Sequence, residues 1–334
     1  MAHGFSWRKR ALLRQFTQRQ DIRFVRRGAQ VPAGATLLLW GAAALPAGLG
    51  PGVKLVRLED GFLRSVGLGA DLTRPLSWVI DSRGIYFDAR QPSDLEDMLQ
   101  NGVFSQALLD RAAQFRQQVV AAGLSKYNLA AAPWPRPDTR KPVLLVAGQV
   151  ETDASIATGT LDIQTNMALL QEVREARPDA WVVYKPHPDV VAGLRQVGAQ
   201  ESQALQWCDE VVLQASMSQM LDALTTADEV HVMTSLTGFE ALLRGKKVVC
   251  YGQPFYAGWG LTQDRHPHPR RTRQLLLDEL VAAALLLYPV YVTRMSGQRC
   301  SPEQALQDLL AWRAQSPGEL VWWRRWLRPF LARA

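Results

Sequence analysis

The stretch Trp181-Val182-Val183-Tyr184-Lys185-Pro186-His187-Pro188 is an apolar, β-branched run that stops on a lysine and a histidine held between two prolines. Such a run reads as a buried strand, and Pro186 ends it because proline has no N–H to give to a sheet ladder. Lys185 and His187 then stand at the carboxyl edge of a sheet, where open α/β folds bind their ligands. A cationic donor pair at that edge suits a phosphate. Taken alone, the segment is equally a strand followed by a polar turn; the sequence on either side favours the ligand reading.

Outward from this strand the rhythm is regular. Strand-like runs at 143–147, 181–184, 210–213, 229–233 and 247–251 alternate with helical patterns at 163–176, 190–197, 218–225 and 238–244. That alternation implies parallel βαβ units with right-handed crossovers. Upstream, strand-like runs fall at 35–40, 54–58, 77–80 and 84–87. A helical pattern starts at Pro92-Ser93-Asp94, with Glu96 three residues after the serine as in a capping box, and another covers 105–122. Residues 130–142 hold four prolines and little periodicity, the mark of a linker. The expected organisation is a first domain at 1–132, a linker at 133–142, a second domain at 143–300 and C-terminal helices with a basic aromatic tail at 301–334. Helical patterns at 275–287 and 302–313 close the chain. The expected fold class is α/β, with two Rossmann-like domains facing a central cleft.

Composition narrows the function classes. The 334 residues suffice for two domains. Cys208, Cys250 and Cys300 lie far apart, without CxxC or zinc spacing, so neither a disulfide framework nor a structural metal is expected. With no signal peptide pattern and no long apolar run, the expected location is cytoplasmic. The net charge of +7 is concentrated at the ends. Arg8, Lys9, Arg10 and Arg14 crowd the start. Arg324, Arg325, Arg328 and Arg333 are interleaved with Trp322, Trp323, Trp326 and Phe330. The segment 322–330 suits an anionic membrane surface, or equally a terminal helix packed on the body with a solvated basic face. No motif for nucleic acid is present, and none is expected to bind.

Besides 181–188, four segments carry chemistry. Gly67-Leu68-Gly69 has only the start of a dinucleotide fingerprint and no Walker loop exists, so nicotinamide and ATP fit poorly. Gly148-Gln149-Val150-Glu151-Thr152-Asp153 follows a strand; Asp153 is a helix cap or, at the same edge as His187, a nucleophile or base facing the cleft. Thr234-Ser235-Leu236-Thr237-Gly238-Phe239-Glu240 opens a helix, and hydroxyls with free N–H groups there receive an anion. Glu240 suits ribose hydroxyls or is simply a first-turn carboxylate. Glu59 and Asp60 end a first-domain strand on opposite faces, so at most one enters a cleft while the other pairs with Arg64 or Arg74. A carboxylate there, opposite Asp153, supplies the pair that glycosyl transfer with retention uses. Finally, Tyr256 and Trp259 lie in a glycine-rich loop at 251–260, where aromatic planes suit sugars or bases and packing is the competing account.

Together these segments resemble the retaining β-Kdo glycosyltransferases of Gram-negative capsule assembly. The matching blocks are 58–68, 74–89 with Pro92-Ser93-Asp94-Leu95, Gln149-x-x-x-Asp153 with Ala154-Ser155, 184–188 and 234–264, in the same order and over nearly the whole chain. Larger members carry two modules in tandem. This chain has the length of one, and its opening Gly4-Phe5-Ser6-Trp7 resembles the start of the second. The resemblance implies a GT-B fold, CMP-β-Kdo as donor, a Kdo-terminated glycolipid as acceptor, no cofactor and no metal. It implies double displacement with Asp153 as nucleophile and His187-Pro188 on the CMP phosphate. For the acid/base, Glu59 is favoured slightly over Asp60. Lys185, Gln149, Thr234, Ser235 and Thr237 are expected on the donor; Arg64 or Arg74 would hold the Kdo carboxylate, with Tyr256 and Trp259 on donor or acceptor. A nucleotide-sugar epimerase with the same cleft, or a non-catalytic lipid- or partner-binding module, are the alternatives.

Overall fold

The computed structural model describes residues 1–67, 73–126, 128, 133–198 and 200–315. Leu68, Gly69 and the tail at 322–330 lie outside the described residues.

The chain begins with β1 (Ala2–His3) and α1 (Trp7–Thr17), whose N-terminus is capped by the Ser6 hydroxyl. Strands β2 (Thr36–Trp40) and β3 (Lys54–Asp60) follow, parallel to β1 and in register at Leu38 and Val56; β4 (Ser77–Asp81) runs antiparallel to β3. The expected strand at 84–87 does not form. Asp81 Oδ1 accepts the N–H groups of Arg83 (3.0 Å) and Gly84 (2.8 Å), turning the chain as soon as β4 ends. Ser93 caps α2 (Asp94–Asn101) by accepting the Glu96 N–H at 3.0 Å. Only half of the expected capping box exists, because the Glu96 carboxylate is committed to Arg270 and Arg271. Helix α3 (Gln106–Ala121) completes this half.

Residues 133–142 are tied down rather than loose. The Trp134 indole donates to Glu210 Oε1 (2.9 Å), and Arg136 forks onto both oxygens of Asp228 at 2.7 and 2.8 Å. Then come β5 (Val143–Ala147), α4 (Ala154–Gly159), α5 (Asn166–Ala176), β6 (Trp181–Lys185), α6 (Pro188–Val191), β7 (Glu210–Val211), α7 (Met217–Ala223), β8 (Glu229–Val232), α8 (Leu236–Leu243), β9 (Lys247–Cys250) and β10 (Gln263–Asp264). The six strands form one parallel sheet in the order β10-β9-β8-β5-β6-β7. Every residue of β5 is buried, as expected of a strand covered on both faces. The strand order reverses between β5 and β8, which puts a crevice at their carboxyl ends.

The chain then returns to the first sheet. Helix α9 (Leu277–Val281) runs into a π-helical stretch (Ala282–Leu287), and β11 (Pro289–Val292) pairs antiparallel with β4, Val290 opposite Trp78. β12 (Arg299–Cys300) extends the same sheet before α10 (Pro302–Gln315). β11 and β12, which fall inside the second domain expected at 143–300, are thus strands of the first sheet. The largest apolar core runs through both halves, from Phe62, Val79 and Phe115 to Leu145, Val230 and Leu285.

Candidate functional site

A cavity of about 1260 Å³ lies between the carboxyl edges of the two sheets. One wall is built from the ends of β1, β2 and β3: Gly4, Trp40-Gly41 and Glu59-Asp60. The other comes from the segments after β5, β6, β7 and β8. Twelve residues singled out in the sequence line it: Glu59, Asp60, Arg64, Gln149, Asp153, Lys185, His187, Pro188, Thr234, Ser235, Thr237 and Glu240. Arg74, Tyr256 and Trp259 do not.

The end of the cavity around His187 is ordered by backbone geometry. His187 is the N-cap of α6, with Pro188 at the first helical position, and His187 Nδ1 accepts the Asp189 N–H at 3.1 Å. That bond leaves Nε2 carrying the proton, so the neutral ring is a donor into the cavity. Burial, reinforced by Lys126, Arg195 and Lys185, pushes the imidazole down to about 3, so it is neutral at physiological pH. Lys185 is buried, its Nζ donates to Leu213 O at 2.9 Å, and desolvation lowers it to about 8. The start of α8 faces the same space, with Ser235 accepting the Thr237 N–H at 3.2 Å.

Two of the residues expected on the ligand also hold the wall together. The Gln149 side chain bridges the switch point, donating to Thr234 Oγ1 (3.0 Å) and accepting the Thr234 N–H (2.8 Å). Glu240 Oε1 accepts the Lys126 N–H at 2.9 Å, and burial raises its carboxyl.

Asp153 occupies the N-cap position of α4 but makes no capping bond. Its carboxylate has no hydrogen bond among the described residues and faces the cavity. Burial pushes it up, while Arg195 and Lys126 pull the other way. On the facing wall, Asp60 pairs with Arg64 Nε at 2.6 Å, as one of the two adjacent carboxylates was expected to do. Both carboxylates nevertheless line the cavity. Burial and the Asp60 charge push Glu59 up to about 7. The carboxylate lies so close to Gly41 that a Cβ there would sit 2.6 Å from Glu59 Oε2.

The remaining expectations are corrected by packing. Arg74 donates to Gln15 Oε1 at 3.1 Å, beside Gly297. Trp259 is fully buried, its indole donating to Phe255 O at 2.8 Å; Tyr256 is fully buried too and donates to Ser235 O. Both aromatics support the wall from behind. The sequence also missed cations that do line the cavity: Lys9, Lys126 and Arg195. Lys9 was grouped with the basic start, and Arg195 lay in an expected helix that ends at Val191. Among the described residues no cluster is arranged to hold a metal ion.

Fold and site thus define an α/β protein with one mixed and one parallel sheet around a cleft that carries separated carboxylates and several cations. The chain belongs to the capsule polysaccharide biosynthesis protein family, whose model matches residues 50–300. It is 50% identical over 258 residues to the capsule polysaccharide modification protein LipA of Neisseria meningitidis, covering 77% of this chain and 36% of LipA. It is 43% identical to the lipopolysaccharide-processing protein LpsZ of Rhizobium meliloti, over 85% of this chain and 66% of LpsZ. The chain thus spans about a third of the length of LipA. Two solved structures from Thermosulfurimonas dismutans KpsC are similar along almost their whole length. The β-Kdo 2,7 transferase has 40% identity and a TM-score of 0.76, covering 93% of this chain and 98% of that one. The β-Kdo 2,4 transferase has 31% identity and a TM-score of 0.80, covering 92% and 97%.

Proposed function

We propose that this chain is a retaining β-Kdo glycosyltransferase of the GT-B type, moving Kdo from CMP-β-Kdo to a Kdo-terminated glycolipid. The observation that carries the reading is Asp153: an uncapped carboxylate at a helix start, facing a cavity whose other wall presents Glu59. In the first step an Asp153 oxygen attacks the anomeric carbon of Kdo, and the bond from that carbon to the phosphate oxygen breaks. CMP leaves with the electron pair, and the sugar remains as an ester on Asp153. In the second step Glu59 takes the proton of the acceptor hydroxyl, which attacks the same carbon and releases Asp153. Two inversions give net retention.

The cations account for the donor's two anionic groups. Lys185, the Nε2–H of His187 and the start of α8 suit the phosphate, with Arg195 beside them. Arg64, held by Asp60 at 2.6 Å, and Lys126 both line the cavity and suit the donor carboxylate. This arrangement needs no metal. Of the two linkages named for the similar structures, the reading adopts 2,7, on the greater identity. A lipid surface is the natural neighbour of such an acceptor, and none of the described helices is long and apolar enough to cross a membrane.

Replacing Asp153 with alanine is expected to abolish transfer and leave the melting temperature unchanged or higher. Full activity of that variant sinks the nucleophile assignment. Intact-mass analysis of Asp153→Cys with CMP-Kdo is expected to show one added Kdo, and NMR of the wild-type product gives the linkage.

A further inference from the structure

One cation in the cavity has no task in the donor half of the reaction. Lys9 leaves the first turn of α1 and lays its ammonium on the face of Trp40, 3.3 Å from the ring centroid. Trp40 is itself braced, edge-on against Phe5 at 5.9 Å and tilted against Trp78 at 4.8 Å. The aromatic platform fixes where the ammonium sits. Among the described residues the Lys9 ammonium makes no hydrogen bond and no ion pair, although burial draws it from water and lowers its pKa. Glu59 and Asp60 act on it through space, and Asp60 is already spent on Arg64. A withdrawn ammonium with three unspent donors is expensive to hold unless an anion arrives.

Its position says which anion. Lys9, Trp40, Gly41 and Glu59 are contiguous along the ends of the first sheet, and Gly4, Ala42 and Ala43 leave the surrounding wall low. The phosphate-binding residues sit on the other sheet. An acceptor hydroxyl placed at Glu59 therefore has Lys9 at its side rather than the donor cations. We propose that Lys9 on its Trp40 platform is the subsite for the carboxylate of the acceptor sugar, selecting sugar acids over neutral sugars as acceptors. The inference rests on the transferase reading above and adds the specificity determinant of its second substrate. If Lys9 merely covers Trp40, an aliphatic chain of the same length serves as well.

The test uses CMP-Kdo as donor and two acceptors, a synthetic β-Kdo glycoside and its carboxamide, with wild type, Lys9→Gln, Lys9→Met and Lys9→Arg. The expected result is a fall of about ten- to a hundredfold in kcat/KM for the acid acceptor in Lys9→Gln and Lys9→Met, carried by acceptor KM. Donor KM holds within about twofold, and Lys9→Arg recovers part of the loss. Wild type loses a similar factor on the carboxamide, while the Gln variant shows no further loss. Equal discrimination between the two acceptors by wild type and Lys9→Gln overturns the inference, as does a change in donor KM alone. Failure of the wild type to transfer Kdo or release CMP at all overturns the transferase reading, and this inference with it.

Discussion

At the scale of single residues, charge states set the sharpest tests. Glu59 lies at about 7 in the folded protein, against an ordinary value of 4.5, because burial and the neighbouring Asp60 disfavour its charge. The proposed mechanism uses Glu59 ionised, as a base, and so predicts that acceptor transfer rises with pH through about 7. Glu59→Gln should remove that limb and cost about a hundred- to ten-thousandfold in rate. Stability moves the other way. The folded state holds this proton more tightly than the unfolded chain, so the ionised carboxylate costs stability progressively from pH 4.5 to 7 and fully above it. Glu59→Gln should therefore be more stable than wild type by roughly 1–3 kcal/mol at pH 8. The difference should vanish as pH falls to 4.5, which thermal melts across that range measure. Lys185, lowered to about 8 by desolvation, makes the complementary prediction for binding. The proposed site uses the charged form of Lys185 to hold the phosphate, which predicts that CMP affinity falls as pH rises through about 8. Titration calorimetry of wild type and Lys185→Met separates this from general effects, since the variant should bind weakly at every pH.

At the scale of elements, most strands and helices of the second half were legible from the period of their apolar residues, although α4 and α7 start without a side-chain cap. The run 181–188 shows this well: Pro186 ends β6, and His187 with Pro188 starts α6 within two residues. The tasks of individual side chains at those ends were less legible. Gln149 looked like a ligand contact, yet it fastens the β5 end to the β8 end across 85 residues of chain, a pairing invisible until the strand order is known. Tyr256 and Trp259 misled for a related reason. Glycines around an aromatic signal close approach, and here what approaches is the wall itself: a Cβ on Gly238 would sit 2.3 Å from the Tyr256 hydroxyl. Run 84–87 failed because a side chain, Asp81, competed successfully for backbone N–H groups. The latch can be tested directly. Gln149→Ala removes both bonds and leaves the half-buried Thr234 N–H without its partner, an expected loss of about 1–2 kcal/mol by denaturant unfolding. CMP affinity should drop with it, because Ser235 and the start of α8 follow immediately. Thr234→Val, which forfeits only the hydroxyl bond, should lose less than Gln149→Ala in both measurements.

At the scale of the whole molecule, the chain is not two beads on a proline-rich string. A linker was inferred from composition, but Trp134 and Arg136 fasten that segment to Glu210 and Asp228. The first sheet is finished by β11 and β12, and the pairing of β11 with β4 joins residues about 200 apart and leaves no local trace in the sequence. Beneath the cavity, Glu96 of α2 receives Arg270 at 2.6 Å and Arg271 at 3.2 Å, coupling the first half to the segment after β10. Burial alone would raise the Glu96 carboxyl; the two guanidinium groups hold it below the usual range instead. With a shared core and a buried ionic tie, the two sheets should unfold together, in one transition reported alike by tryptophan fluorescence and circular dichroism. Glu96→Ala sharpens the point. It strips the carboxylate from Arg271, which is only 6% exposed, and an uncompensated buried cation costs about 3–5 kcal/mol. If the halves are one cooperative unit, that loss lowers the single midpoint and leaves one transition, with CMP binding intact in the folded fraction because Glu96 does not line the cavity. A split into two transitions would mean that each sheet folds on its own and that Glu96 merely docks them.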